Sequence, residues 1–291
     1  MQFKKGKLYF LAGGTGTEIL RRGFPTELPL WSAKVLFEKP ELLKQIYIDY
    51  INAGADIITT NTFRTQRRTL AKAGLGSETE RINRLAVDIA VEARKESKAK
   101  RPIYIAGSMT TLEDCYRPDL MPPEKELEKE HREQAEILAN TPIDFFLLET
   151  FNGIKEASVA AEAVYNTGKQ FLVSFTANSD GNILNGDTWE KACRQLKKIN
   201  PMAILVNCVP GQVATKALKK IKKATNLPFG AYGNGAGEAD DTNGWKFSTA
   251  DQIENYCNFC KEWIDLGATI IGGCCGTNNE YTKAYSKLRR I

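Results

Sequence analysis

Eight short apolar runs, separated by amphipathic segments, leave this 291-residue chain very few folds to choose from. The runs are Leu8 to Ala12, Ile57 to Thr60, Ile103 to Ala106, Phe145 to Leu148, Phe171 to Phe175, Ala203 to Val206, Phe229 to Tyr232 and Ile270 to Gly273. Each has the length of a strand and is apolar almost throughout, so both of its faces must be covered, as in a parallel sheet flanked by helices. Three intervening segments read clearly as helices. Glu41 to Ala53 stops at Gly54, Thr79 to Lys98 carries Ile82, Leu85, Ala86 and Ile89 near helical spacing, and Lys155 to Tyr165 stops at Gly168. The runs begin about 25 to 50 residues apart, which is βα-unit spacing. Eight such units predict an α/β fold, a (β/α)8 TIM barrel forming a single domain over residues 1–291.

The alternative is an open doubly wound sheet, which would carry a glycine fingerprint after its first strand. Leu11-Ala12-Gly13-Gly14-Thr15-Gly16-Thr17 is glycine-rich, but Ile19 stands where the third glycine of that fingerprint belongs, and no Lys-Ser/Thr completes a phosphate loop. We read it as a tight strand-to-helix turn. No Pro/Ser-rich linker divides the chain, and Pro118 to Glu130 reads as a loop entering an exposed helix.

Composition excludes several classes. A single domain of this size buries about 75% of the surface its unfolded chain exposes, so it needs no disulfide to hold it. The 40 basic and 35 acidic residues are dispersed, and Arg67-Arg68, Lys219-Lys220, Lys222-Lys223 and Arg289-Arg290 read as solvated helix faces rather than a nucleic-acid groove. Seven cysteines, an odd number with two adjacent, and a start at Met1 to Lys7 without an apolar signal core point to a reducing cytoplasm. No apolar run approaches the ~18 residues of a spanning helix, which excludes an integral membrane location.

The cysteines carry the chemistry. Ile270-Ile271-Gly272-Gly273-Cys274-Cys275-Gly276-Thr277 places two thiols where a buried strand gives way to a loop, and Ala203-Ile204-Leu205-Val206-Asn207-Cys208 places a third at a matching strand end. In a barrel, the carboxyl ends of all the strands converge on one face, where active sites lie. Cys208, Cys274 and Cys275 together suit Zn2+, with a fourth position open as in catalytic zinc. Cys257 and Cys260 form a rival C-x-x-C pair, but Asp251 to Leu266 reads as an amphipathic helix capped by Ser248 or Thr249 and ended by Gly267. Two cysteines three apart then share its core face. Cys115 and Cys193 are single thiols expected to pack. His131, the only histidine, lies in a Glu/Lys-rich helix and is expected at the surface. A mechanism without imidazole is therefore favoured: zinc activates a substrate thiol, whose sulfur attacks an activated methyl group. A sulfonium donor would leave as a neutral sulfide and need no general acid.

Motifs along nearly the whole chain resemble those of the homocysteine S-methyltransferase family: Gly13-Gly14-Thr15-Gly16-Thr17-Glu18, Thr60-Asn61-Thr62-Phe63, Leu148-Glu149-Thr150, Val206-Asn207-Cys208 and Gly272-Gly273-Cys274-Cys275-Gly276-Thr277. The resemblance implies that Cys208, Cys274 and Cys275 are the zinc ligands and that Glu149 holds the amino group of homocysteine. It also implies that Thr60, Asn61, Thr62, Gly13 and Gly14 line the amino-acid end of the pocket. Tyr232-Gly233-Asn234-Gly235-Ala236-Gly237-Glu238 resembles the loop of members that use S-methylmethionine or S-adenosylmethionine as methyl donor.

One position departs from the family: Ala12 stands where an aspartate usually joins the glutamate at the substrate amine. Losing a charge-assisted hydrogen bond there would weaken the site by about 1.5–3 kcal/mol. Either Glu149 suffices, helped by Glu18, or the acceptor is a different thiol. Two other readings stand beside direct transfer from a small-molecule donor: a thiol-activating subunit of a corrinoid methyl-transfer system, and a non-catalytic zinc or thiol-binding barrel. Trp31, Tyr116 and Trp245 could wall a cationic donor, although aromatics in such loops more often pack. The sequence leaves oligomeric state open.

Overall fold

The computed structural model describes residues 3, 6–240, 244–248 and 252–290. Its strands are β1 (Tyr9–Phe10), β2 (Ile57–Thr59), β3 (Tyr104–Met109), β4 (Phe145–Phe151), β5 (Phe171–Phe175), β6 (Ile204–Asn207), β7 (Phe229–Gly233), a short hairpin β8 (Glu238–Asp240) and β9 (Gly244–Lys246), and β10 (Ile270–Gly273). All but the hairpin form one parallel sheet in the order β1-β10-β7-β6-β5-β4-β3-β2. The two ends of that order meet. Leu11 bridges Ile57, and the Ala12 N–H donates to the Ile57 carbonyl at 2.9 Å, which closes the sheet into the expected barrel.

So short a seam needs other ties. Asp56 supplies them: its carboxylate accepts the Phe10 N–H at 2.9 Å and pairs with Arg101 at 3.2 Å and Arg289 at 2.7 Å, holding both termini of the barrel to β2. Phe3 plugs the bottom, edge-on to the rings of Tyr9 and Phe145.

Around the barrel run α1 (Thr15–Arg21), α2 (Val35–Glu38), α3 (Pro40–Ala53), α4 (Arg67–Lys72), α5 (Thr79–Glu96), α6 (Glu124–Ala139), α7 (Ile154–Asn166), α8 (Trp189–Leu196), α9 (Gly211–Ala224), α10 (Ile253–Leu266) and α11 (Asn279–Ser286). The expected helices fall within two residues of α3, α5 and α7. Pro40 opens α3 at a position where its missing N–H is harmless, and Gly54 ends it in the left-handed region at φ 117°. The start of α10 differs: its first-turn cap is Gln252, not Ser248, and Thr249 and Asp251 lie outside the described residues. Gly267 ends α10 as expected, and Cys260 is buried beneath it while Cys257 is half-buried.

His131 is a correction. It is fully buried in α6, its Nε2 lies 3.1 Å from Glu156 Oε1 on α7, and its ring lies 6.0 Å from that of Phe151. Leu127, His131, Ala135 and Leu138 recur at helical spacing, so the histidine sits on the core face of a helix whose charged residues obscure that stripe.

Strand alternation places the site. Outward residues such as Phe10, Ile58, Ile105, Phe146, Val173, Val206 and Ile271 pack against helices, while Leu11, Ile57, Ala106, Leu147, Leu172, Leu205 and Ile270 fill the interior. Continuing each inward column upward by two gives Ser108, Glu149, Ser174 and Asn207, and by four from Ile270 gives Cys274. The top layer of the barrel is polar because the same period that fills its core runs on into functional residues.

Candidate active site

Local hydrogen bonds fix the three thiols. Cys208, the first residue after β6, has φ 57°, a strained conformation for a side chain with a Cβ, and its N–H donates to the Tyr232 carbonyl at 3.2 Å. After β10, the Cys274 N–H donates to Gly233 O at 2.7 Å and the Thr277 hydroxyl donates back to Cys274 O at 2.7 Å. The same hydroxyl accepts the Gly14 N–H at 3.0 Å. Gly14 must be glycine here, since a Cβ would stand 2.5 Å from the Cys274 carbonyl oxygen. The β1 turn and the β10 turn thus lock each other.

The sulfurs of Cys208, Cys274 and Cys275 all lie within 4.8 Å of one another, and those of Cys208 and Cys275 are 3.7 Å apart. Two sulfurs on a tetrahedral zinc with bonds of about 2.3 Å would be about 3.8 Å apart, so the set fits that ion. It is the only such group of metal-binding side chains among the described residues. Hydrogen bonds from the Cys274 and Cys275 thiols hold the Cys208 thiol well below its ordinary pKa, and the Tyr116 hydroxyl, 3.0 Å from its sulfur, helps. Sharing with Cys208 correspondingly pushes Cys274 and Cys275 up.

Glu149 stands inside the barrel on β4, beside an irregularity in register between Leu148 and Phe151. It accepts hydrogen bonds from the Ser108 hydroxyl and, at 3.3 Å, from the Tyr232 hydroxyl. No cationic side chain among the described residues pairs with it. Desolvation, reinforced by the charge on Cys208, raises its pKa to about 7. A carboxylate so placed is a receptor for a positive charge brought by a ligand.

Asn207 joins the two halves of the site. Its Oδ1 accepts the Thr150 N–H at 3.0 Å and the Ser174 hydroxyl at 2.6 Å, and its Nδ2 donates to Thr150 Oγ1 at 2.8 Å. Thr150 follows Glu149 and has φ 60°; Asn207 precedes Cys208. One buried amide thus holds the two strained residues that aim the carboxylate and the thiol. The sequence motif contains Asn207, but spacing alone does not reveal this clamp.

A cavity of about 320 Å3 opens between these groups. Cys208, Cys274, Cys275, Glu149, Thr60, Asn61, Gly13 and Gly14 all line it, as expected from the sequence. Thr62 does not: it is fully buried behind Thr60, bonded to the Thr60 hydroxyl at 2.8 Å and donating to Ser108 O at 2.6 Å. Asn61 lines the wall with its side chain already committed, since it accepts from the Ser32 hydroxyl and donates to the Ser32 carbonyl, both at 2.8 Å. Ala12 lines the cavity, and Glu18 does not substitute for the aspartate missing there. Its carboxylate instead pairs with Arg21 at 3.1 Å and Arg22 at 2.8 Å.

Trp31, Tyr116 and Trp245 all face the cavity, joined by Phe63, Arg64, Asp114 and Cys115. Trp31 has φ 47°, and its ring lies where a Cβ on Gly16 or Gly244 would be, within 2.4 Å and 2.6 Å. Glycine at both positions makes room for the indole. Cys115 is buried, and burial pushes its thiol up.

Comparison with known proteins agrees with this geometry. Residues 9–288 match the family model described as Homocysteine S-methyltransferase. Homocysteine S-methyltransferase YbgG of Bacillus subtilis (strain 168) is 31% identical over 289 residues, covering 94% of this chain and 91% of that protein. Selenocysteine methyltransferase of Astragalus bisulcatus is 29% identical over 315 residues, covering 97% and 93%. The metallated form of the homocysteine methyltransferase MmuM from Escherichia coli superimposes with a TM-score of 0.85 at 26% identity, over 98% of this chain and 97% of that one. With its barrel closed and its thiols gathered at the strand ends, the chain belongs to the homocysteine S-methyltransferase family.

Proposed function

We propose that this protein transfers a methyl group from a sulfonium donor, S-methylmethionine or S-adenosylmethionine, to the sulfur of homocysteine, with zinc held by Cys208, Cys274 and Cys275. The observation that carries this reading is the placement, on one cavity, of a three-sulfur cluster and a half-buried carboxylate, Glu149, that has no cationic partner among the described residues. Zinc bound there would leave a fourth position for a substrate thiol, lower its pKa toward neutrality and keep its sulfur electron-rich.

The chain's own residues do the rest. Glu149 binds the substrate ammonium and so fixes the thiol end toward the triad, converting a bimolecular encounter into an oriented one. Aromatic walls at Trp31, Phe63 and Trp245 exclude water and suit a cationic donor. As the new sulfur–carbon bond forms, the donor's sulfur–methyl bond breaks and its electron pair returns to sulfur, so the leaving group is a neutral sulfide. No proton donor is required, and the cavity's lining has no histidine. A reducing cytoplasm, where the thiols stay free, suits this chemistry. No helix among the described residues is long and apolar enough to cross a membrane.

The test is a methyl-transfer assay on reduced, zinc-loaded protein, pairing homocysteine with S-methylmethionine, S-adenosylmethionine and betaine in turn, and repeating each with selenocysteine as acceptor. Methionine formed from a sulfonium donor by wild type and absent with Cys274→Ala supports the reading. Transfer that depends on an added methyl-corrinoid protein would replace it, as would zinc binding without transfer from any donor.

A further inference from the structure

We propose that Arg64 anchors an α-carboxylate on the methyl donor, so that the protein selects zwitterionic onium amino acids over simple sulfonium ions; this rests on the sulfonium-to-thiol reading above. Arg64 is the only basic residue among the described residues that line the cavity. Its Nε is buried and has no hydrogen-bond partner there, while its guanidinium sits 5.7 Å from the Phe63 ring centroid. Of the cavity's carboxylates, Glu149 accepts from Ser108 and Tyr232, Asp114 accepts the Tyr116 N–H at 2.8 Å, and Asp240 stands on β8. A planar fork of donors held against an aromatic wall, with a buried N–H left open, is matched by a ligand carboxylate.

Position assigns that carboxylate to the donor. The acceptor is tied at Glu149, within β4, and at the triad, whereas Arg64 stands on the loop five residues beyond Thr59, the end of β2. Arg64 and Cys115 line the same cavity as the triad. A lone cation beside the transfer site would repel a bare sulfonium, because two positive charges would share one low-dielectric cavity. A donor that brings its own carboxylate turns that repulsion into an ion pair and presents its sulfonium to the triad.

Isothermal titration of reduced, zinc-loaded protein with S-methylmethionine and with its decarboxylated analogue, 3-(dimethylsulfonio)propylamine, tests this directly. Wild type should prefer the carboxylate-bearing ligand by about 10- to 100-fold, the range of a charge-assisted bidentate pair. Arg64→Ala should bring S-methylmethionine down to the affinity of the analogue and leave homocysteine binding unchanged. Arg64→Lys should keep part of the preference, which a folding defect would not produce. A preference that survives Arg64→Ala overturns the proposal. So does a loss that falls on homocysteine relative to 3-aminopropanethiol, its decarboxylated counterpart, since Arg64 would then read the acceptor. Donor preference without methyl transfer would refute the proposed function and leave the Arg64 assignment standing; transfer without preference would do the reverse.

Discussion

Replacing Glu149 by glutamine should stabilise the ligand-free protein at pH 8 and change little at pH 5. Burial raises this carboxyl from its ordinary 4.5 to about 7, and no cation among the described residues offsets the cost of its charge. The sign follows from linkage. A carboxyl whose folded pKa lies above its unfolded value keeps the folded state fully favoured below pH 4.5 and loses that advantage as pH rises through about 7. The interval corresponds to about 3 kcal/mol, an upper figure because water entering the cavity would relax it. Glutamine keeps the shape, can still bond to Ser108 and Tyr232, and carries no charge at any pH.

For a chain of this size, about 3 kcal/mol amounts to a difference of about 6–12 °C in Tm. Differential scanning calorimetry of both proteins at pH 5 and pH 8, reduced and zinc-loaded, gives the double difference and cancels other titrating groups. Both proteins are compared at the same zinc content. The same substitution should abolish homocysteine binding, while wild-type affinity for homocysteine should rise as pH rises through 7. If Glu149→Gln is destabilised equally at pH 5 and pH 8, the carboxyl is not the desolvated, unpaired group described above.

Other perturbations probe the supports of the site. Asn207→Ala removes three buried hydrogen bonds and should lower stability by about 2–4 kcal/mol in denaturant titration. It should also reduce zinc affinity, because Cys208 loses its neighbour's anchor; unchanged affinity in a chelator competition would make the clamp purely structural. Gly14→Ala drives a Cβ against the Cys274 carbonyl, at a cost of about 1–3 kcal/mol, and should weaken zinc binding from a turn that supplies no ligand.

The barrel was legible because both faces of the barrel strands are buried, which makes each of them an apolar run that stands out from its surroundings. Legibility fails where function replaces that rule. β3 runs on through Gly107, Ser108 and Met109, and β4 through Glu149, Thr150 and Phe151, beyond their apolar runs, because the uppermost inward positions are polar. The hairpin β8–β9 gives no signal, since its Glu238-Ala239-Asp240 strand is short and largely exposed. That Cys208, Cys274 and Cys275 gather on one face was readable from their strand-end positions and the glycines beside them, whereas Arg64 and the Asn207 clamp depend on which side chains remain unpaired after folding. His131 was misplaced because a polar residue type says little about exposure when a neighbouring helix supplies its hydrogen bond; Thr62, placed at the pocket by the family resemblance, lies behind Thr60 instead.

X-ray absorption at the zinc edge, recorded on reduced, zinc-loaded protein before and after addition of homocysteine, tests the central claim most directly. Three sulfur neighbours from the protein are expected, and a fourth on adding homocysteine, with the fourth lost in Glu149→Gln at equal ligand concentration. Fewer than three sulfurs without ligand, or a sulfur count that homocysteine leaves unchanged, would contradict it.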